Sequence, residues 1–145
     1  MRVREAVVRY KAGGVVSETI SNPSGVYEFF SQKVRGETRE NFYGLYMNGR
    51  NGMVCFELVA IGGATAAVVD VKSIVRTALL VGAEKLILVH NHPSGNPTPS
   101  VEDKAMTQRV SAACKLFNIE VLDHIVIGDG KYSSLKEMGM FFSIQ

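Results

Sequence analysis

Residues 85–103 read KLILVHNHPSGNPTPSVED, an apolar run that ends in two histidines and then breaks into prolines. KLILV has the length and composition of a strand buried on both faces, the pattern of a central strand in an α/β sheet. Residues two apart on a strand share a face, so His90 and His92 point one way and Asn91 the other. Pro93 lacks a backbone N–H and stops the ladder, which leaves both imidazoles at a strand end beside a loop. Strand ends of α/β sheets are where sites are usually built. Residues 89–103 hold two of the chain's three histidines and three of its four prolines, and the prolines stiffen the loop that leads to the next element.

That element is a helix opening at Ser100. Ser100 and Asp103 match the S-x-x-[DE] start pattern, in which a serine oxygen caps an exposed amide and the acid favours the positive end of the dipole. Met106, Val110, Ala113 and Phe117 then recur on one side. Upstream, VREAVVRY at residues 3–10 alternates as a strand does. SNPSGVYEFFSQKV reads as a helix capped by Ser21 or Asn22, with Pro23 in its first turn, Val26, Phe29, Phe30 and Val34 on its apolar face, and Gly36 at its end. NFYGLYMNGRNGMVCFELVAIGG reads as a β-hairpin around NGRNG. Asp70 precedes the helical run VKSIVRTALLVG, with Ile74, Val75, Ala78 and Leu79 on one face and Gly82 as its stop. VLDHIVIG supplies a further strand, and a short helix is expected in the tail KYSSLKEMGMFFSIQ. Intermixed strands and helices predict one α/β domain over residues 1–145, a mixed sheet sandwiched by helices.

Composition narrows the function. The chain has 145 residues, 46% hydrophobic and 21% charged, with a net charge of +2, enough for one globular core. The mild basicity falls short of the strong patch that marks dedicated nucleic-acid binders. Cys55 and Cys114 form neither a CxxC pair nor a disulfide framework, which favours a reducing compartment. No apolar run reaches the roughly 20 residues of a membrane span, and MRVREAVVRY lacks a signal peptide's apolar block, so a cytoplasmic location is expected.

Two imidazoles and one carboxylate, His90, His92 and Asp103, make a three-ligand set suited to catalytic zinc with an open fourth position, or to non-haem iron. Hydrolysis at such a site also needs a general base. Glu40 is the natural candidate, although spacing alone does not separate it from Glu37 or Glu57. NGRNG and the C-terminal FFSIQ are candidate covers for the site.

The array of Glu40, His90-x-His92, Ser100 and Asp103 resembles the JAMM motif of JAB/MPN metalloproteases. VHNHPSGNPTPSVED with VLDHIVIG resembles the RadC family over roughly residues 20 to 130. The resemblance implies a cytidine-deaminase-like α/β sandwich and one Zn2+ per chain held by His90, His92 and Asp103. It implies that Glu40 activates water and that Ser100 helps to position or stabilise the oxyanion. The reaction would be water attack on a carbonyl polarised by zinc, on a peptide or protein substrate, in a family associated with DNA repair. Larger members carry a preceding helix-hairpin-helix region that the resemblance does not extend to here, as in shorter members, so direct nucleic-acid binding is an expectation with only weak support.

Other readings fit less well. HNH nucleases spread their three named residues over a ββα-metal fold, and zinc deaminases need P-C-x-x-C. Ser100 lacks a G-x-S-x-G elbow. Gly62, Gly63 and Gly82 suit backbone turns, since IGGAT lacks phosphate-loop spacing. His124 and Asp123 stay outside the catalytic set, with support of a metal ligand as their functional alternative. The reading from a different class is a non-catalytic, zinc-containing binding module in DNA-associated complexes. The pattern points to no membrane partner and is compatible with a homodimer.

Overall fold

The computed structural model describes residues 1–12, 22–62 and 69–141. Its elements are α1 (Pro23–Ser31), β1 (Asn41–Met47), β2 (Met53–Ile61), α2 (Val71–Leu80), β3 (Lys85–Asn91), α3 (Val101–Lys115), β4 (Glu120–Ile127) and β5 (Tyr132–Ser134). One five-stranded sheet runs in the order β2-β1-β3-β4-β5. The β3–β4 pair is parallel and the other pairs are antiparallel. This is the mixed α/β sandwich expected from the sequence.

The helix between β3 and β4 explains their parallel pairing, because a parallel crossover must carry the chain back across the sheet. Side-chain alternation sends Leu86 and Leu88 of β3 into a core with Ile74 and Ala78 of α2 and Val110 and Cys114 of α3. Ile87 and Val89 join Val26 and Phe30 of α1 on the opposite face. Both faces are covered, so β1 and β3 are apolar almost throughout. His90 has the parity of Leu86 and Leu88 and thus lies on the α2–α3 face.

Local signals set most element ends. Asn22 caps α1, accepting from Gly25 N, and Asp70 caps α2, accepting from Lys72 N. Ser21 lies outside the described residues. At the hairpin turn Asn51 adopts φ 61°, a conformation that Asn tolerates better than most residues. Gly128 is required by close approach: a Cβ there would collide with Gly95 O and Pro97. Its bare backbone lets the proline loop pack against the end of β4, where His92 N donates to Ile127 O and Asp129 N to Gly95 O, each at 2.8 Å.

Several expectations are corrected. Residues 3–10 form no strand but an exposed segment without regular structure, because alternation specifies a strand only when a ladder partner and a core face receive it. Helix α1 stops at Ser31, short of Val34, and residues after it turn through Lys33 N and Val34 N bonded to Phe30 O. Phe117 lies beyond α3 and is half exposed, while Asp103, Thr107, Val110 and Cys114 form the buried seam. Leu79 faces solvent at 50% exposure. The tail contributes β5 followed by turns at 135–139 instead of a helix. Residues 142–145 and Gly63 lie outside the described residues, so most of FFSIQ does too.

Candidate metal centre

The site forms where β1 begins and β3 ends. Phe42 pairs with His90 across the antiparallel ladder, so Glu40, two residues before Phe42, shares its face and arrives beside the histidines. NGRNG follows Met47, which pairs with Lys85. The turn therefore lies at the far end of the sheet, about 17 Å of strand from His90 at roughly 3.3 Å per residue. It cannot cover this site.

Four side chains converge. His90 Nε2 and His92 Nε2 lie 3.0 Å apart. Asp103 Oδ1 is 3.2 Å from the first and Asp103 Oδ2 is 3.1 Å from the second. Glu40 Oε1 stands further off, at 3.9 and 3.8 Å from the same nitrogens. Glu40, His90 and His92 are close enough to hold a metal ion. The side chains of His90 and Asp103 are 3% and 7% exposed, those of His92 and Glu40 15% and 14%, so the cluster is closed at the back and open on one side.

The helix start brings Asp103 here. Ser100 Oγ accepts from Asp103 N at 3.0 Å, and Asp103 Oδ2 accepts from Ser100 N at 2.8 Å, a reciprocal capping box. The box leaves the carboxylate facing the imidazoles. Burial opposes its charge, but His90 and His92, which donate to the carboxylate when they are protonated, outweigh that penalty and hold the carboxyl well below the usual carboxylate range. The Asp103 hydrogen bond in turn raises the pKa of His92 above the ordinary histidine value.

His92 Nδ1 lies 2.9 Å from Asn96 O. A carbonyl only accepts, so Nδ1 carries the proton, and neutral His92 turns a bare Nε2 towards the cluster. Phe42 stacks on the His90 ring at 5.5 Å and meets His124 edge-on. It shields one side of both rings from water.

The other glutamates are elsewhere. Glu57, on β2, receives hydrogen bonds from Thr77 and Tyr46. Glu37 lines a cleft of about 510 Å³ beside the cluster, with Tyr27, Arg35, His92, Gly95 and Asp129. A larger groove of about 620 Å³ runs along β2 and residues 6–11 and contains none of the four converging side chains.

Three residues do more than the sequence indicated, which placed Asn91 on the opposite face, named His124 only as an alternative support for a metal ligand and passed over Thr107. Asn91 points away from the histidines and binds the backbone on both sides of Glu40, accepting from Asn41 N at 2.6 Å and donating to Arg39 O at 3.0 Å. His124, fully buried, places Nε2 2.7 Å from His90 Nδ1. Thr107 Oγ1 lies 2.6 Å from His124 Nδ1. The available signal was a histidine inside an otherwise apolar strand, where a buried polar group requires partners. Asp123 turns elsewhere, accepting from His124 N, Ser134 Oγ and Lys136 N, and thereby ties β5 and the following turn to β4.

Comparison with known proteins agrees with this architecture. A family profile described as RadC-like JAB domain matches residues 20–140. A UPF0758 protein of Methanosarcina mazei is 42% identical over 120 residues, covering 83% of this chain and 52% of its own length. One from Xanthomonas campestris pv. campestris is 44% identical over 122 residues, 84% of this chain and 54% of the relative. One from Carboxydothermus hydrogenoformans is 39% identical over 132 residues, 91% and 58%. The chain spans about half the length of the curated relatives it matches. Among the described residues no helix is long and apolar enough to cross a membrane. With a profile match over most of its length and relatives near 40% identity, the chain belongs to the RadC family and carries its JAB domain.

Proposed function

We propose that this domain is a zinc-dependent metallohydrolase of peptidase or isopeptidase type, with His90, His92 and Asp103 as ligands and Glu40 as general base. The observation that carries this reading is the convergence of two imidazole nitrogens and a carboxylate at 3.0–3.2 Å. Zinc bonds of 2.0–2.2 Å in tetrahedral geometry imply ligand-to-ligand edges of roughly 3.3 Å. The donor set therefore fits. Two bare nitrogens facing each other so closely would repel unless a cation or a proton lay between them.

Zinc bound there would supply Lewis acidity and make water acidic enough to attack near neutral pH. Glu40, beyond the ligand edge at 3.8–3.9 Å from both nitrogens, takes the proton of the attacking water and returns it to the leaving amine. Ser100 Oγ uses a lone pair as the helix cap, which leaves its hydroxyl proton to donate to the oxyanion. The cleft walled by His92 accommodates the remainder of a substrate chain. A peptide or isopeptide bond is the proposed target, and the family's association with DNA repair suggests where its protein substrate is to be sought.

A second reading rests on the position of Glu40 close to both histidines. If Glu40 completed a four-ligand shell, the site would be closed, and the domain would be a zinc-stabilised binding module. Glu40→Gln separates the two. Retained zinc with abolished cleavage of a peptide and isopeptide library supports the hydrolase, whereas lost zinc supports the closed site.

A further inference from the structure

His92 and His90 are oriented by different means. A backbone carbonyl sets the tautomer of His92 directly. The partner of His90 is another histidine, which donates or accepts according to its own tautomer, so the contact alone leaves the His90 proton unassigned. The assignment has to come from further back.

Thr107 Oγ1 donates to Asp103 O at 2.7 Å, the preceding turn of the same helix. A hydroxyl has one proton, so towards His124 Nδ1, 2.6 Å away, Thr107 acts as acceptor. His124 Nδ1 then carries the hydrogen. His124 has no exposed surface, and a charge is not buried without a paired partner, so the ring carries one hydrogen and Nε2 is bare and accepting. His90 Nδ1, 2.7 Å from it, must donate, and His90 Nε2 is left bare towards His92 and Asp103.

We propose that His124 is a positioning residue, which with Thr107 holds His90 in the tautomer whose Nε2 faces the site. The relay begins and ends on the site's own elements. It starts at Asp103 O on α3, passes through Thr107 and His124, and ends on His90 of β3. One backbone carbonyl thus sets the tautomer of His90 while the same residue's carboxylate faces the imidazole on its other side. Metal-bound histidines commonly donate their second nitrogen to a carboxylate, carbonyl or water. Here a neutral histidine takes that place, so the orienting group brings no additional negative charge to the cluster.

The inference rests on the ligand assignment above, but its first test needs no metal. On the full, metal-free chain at about pH 8, above the usual histidine range, two-bond proton–nitrogen NMR should show His90 protonated on Nδ1 and bare on Nε2. Thr107→Val, which keeps the shape and removes the hydroxyl, should give His90 a mixed tautomer population. His90 protonated on Nε2 in the wild type, or an unchanged pattern in Thr107→Val, overturns the proposal. Zinc titration supplies the second readout. His124→Leu, confirmed as folded, should lose roughly ten- to hundredfold in affinity, and His124→Gln, which offers an acceptor oxygen near the Nε2 position, should recover part of it. Equal affinity of His124→Leu and wild type overturns it. Absence of zinc binding by the wild type would instead defeat the ligand assignment, while the NMR result still decides the tautomer.

Discussion

Asn91 grips the backbone on either side of Glu40, with its amide oxygen on Asn41 N at 2.6 Å and its amide nitrogen on Arg39 O at 3.0 Å. The strand that presents the two histidines on one face therefore uses the residue between them, on the other face, to hold Glu40, the proposed base, opposite. A buried side-chain amide with both ends used fixes position closely, and displacements near 1 Å at a reacting centre are expensive in rate.

Asn91→Ala should lower kcat by about one to two orders of magnitude, with KM and bound zinc little changed, because the base shifts while the ligands stay. Asn91→Asp keeps the acceptor for Asn41 N but sets an oxygen against Arg39 O, and it should behave like Asn91→Ala or worse. Steady-state kinetics with metal analysis checks this. Wild-type kcat in Asn91→Ala would remove Asn91 from the positioning of Glu40.

The visibility of Asn91 illustrates what could be read from the chain. His90-x-His92 shares a strand face by simple alternation, and Asp103 announces itself through a capping pattern, because both are local rules. Asn91 was placed on the opposite face correctly, but its partners lie 50 and 52 residues away and follow only from the β1–β3 register. His124 was harder still. The β3–β4 register shifts between Leu86 and Ile87, pairing Leu86 with Val121 but Ile87 with Asp123. A one-residue slip exchanges strand faces. That shift pairs His124, in place of Asp123, with Leu88, whose side of the sheet is also that of His90. No spacing rule reveals it. Residues 3–10 failed in the opposite sense, since their alternation is genuine but no strand among the described residues receives it.

The capping box links stability to the site. Ser100→Ala should cost about 1 kcal/mol of folding stability and retain zinc, with cleavage reduced by roughly two to three orders of magnitude if its proton serves the oxyanion. Ser100→Thr keeps the cap and should recover most of the stability. Chemical denaturation beside kinetics separates the effects, and a loss of activity no larger than that of Ser100→Thr would confine Ser100 to capping.

Cys114 offers a readout of the helix that carries Asp103. It is fully buried, and burial pushes its thiol up to about 11. An unfolded cysteine titrates near 8.5, so from about pH 8.5 towards 11 the unfolded chain sheds this proton first and the fold loses stability as pH rises. At about pH 8 roughly one Cys114 in a thousand would be ionised, and alkylation should require opening of α3. Zinc held by Asp103 and the histidines would tie α3 to β3 and should slow alkylation of Cys114 in proportion to its binding. Rates of thiol labelling with and without zinc test this; equal rates at saturating zinc would show that the metal does not clamp the helix.

The proposed chemistry depends on which three side chains hold the ion. That is decided by elemental mass spectrometry on untagged wild-type protein beside Glu40→Gln, His92→Ala and Asp103→Ala, each verified as folded. One zinc per chain is expected in wild type and in Glu40→Gln, with loss of zinc in the other two variants. Zinc retained by Asp103→Ala but lost from Glu40→Gln would contradict it, making Glu40 a ligand and leaving the proposed hydrolase without its base.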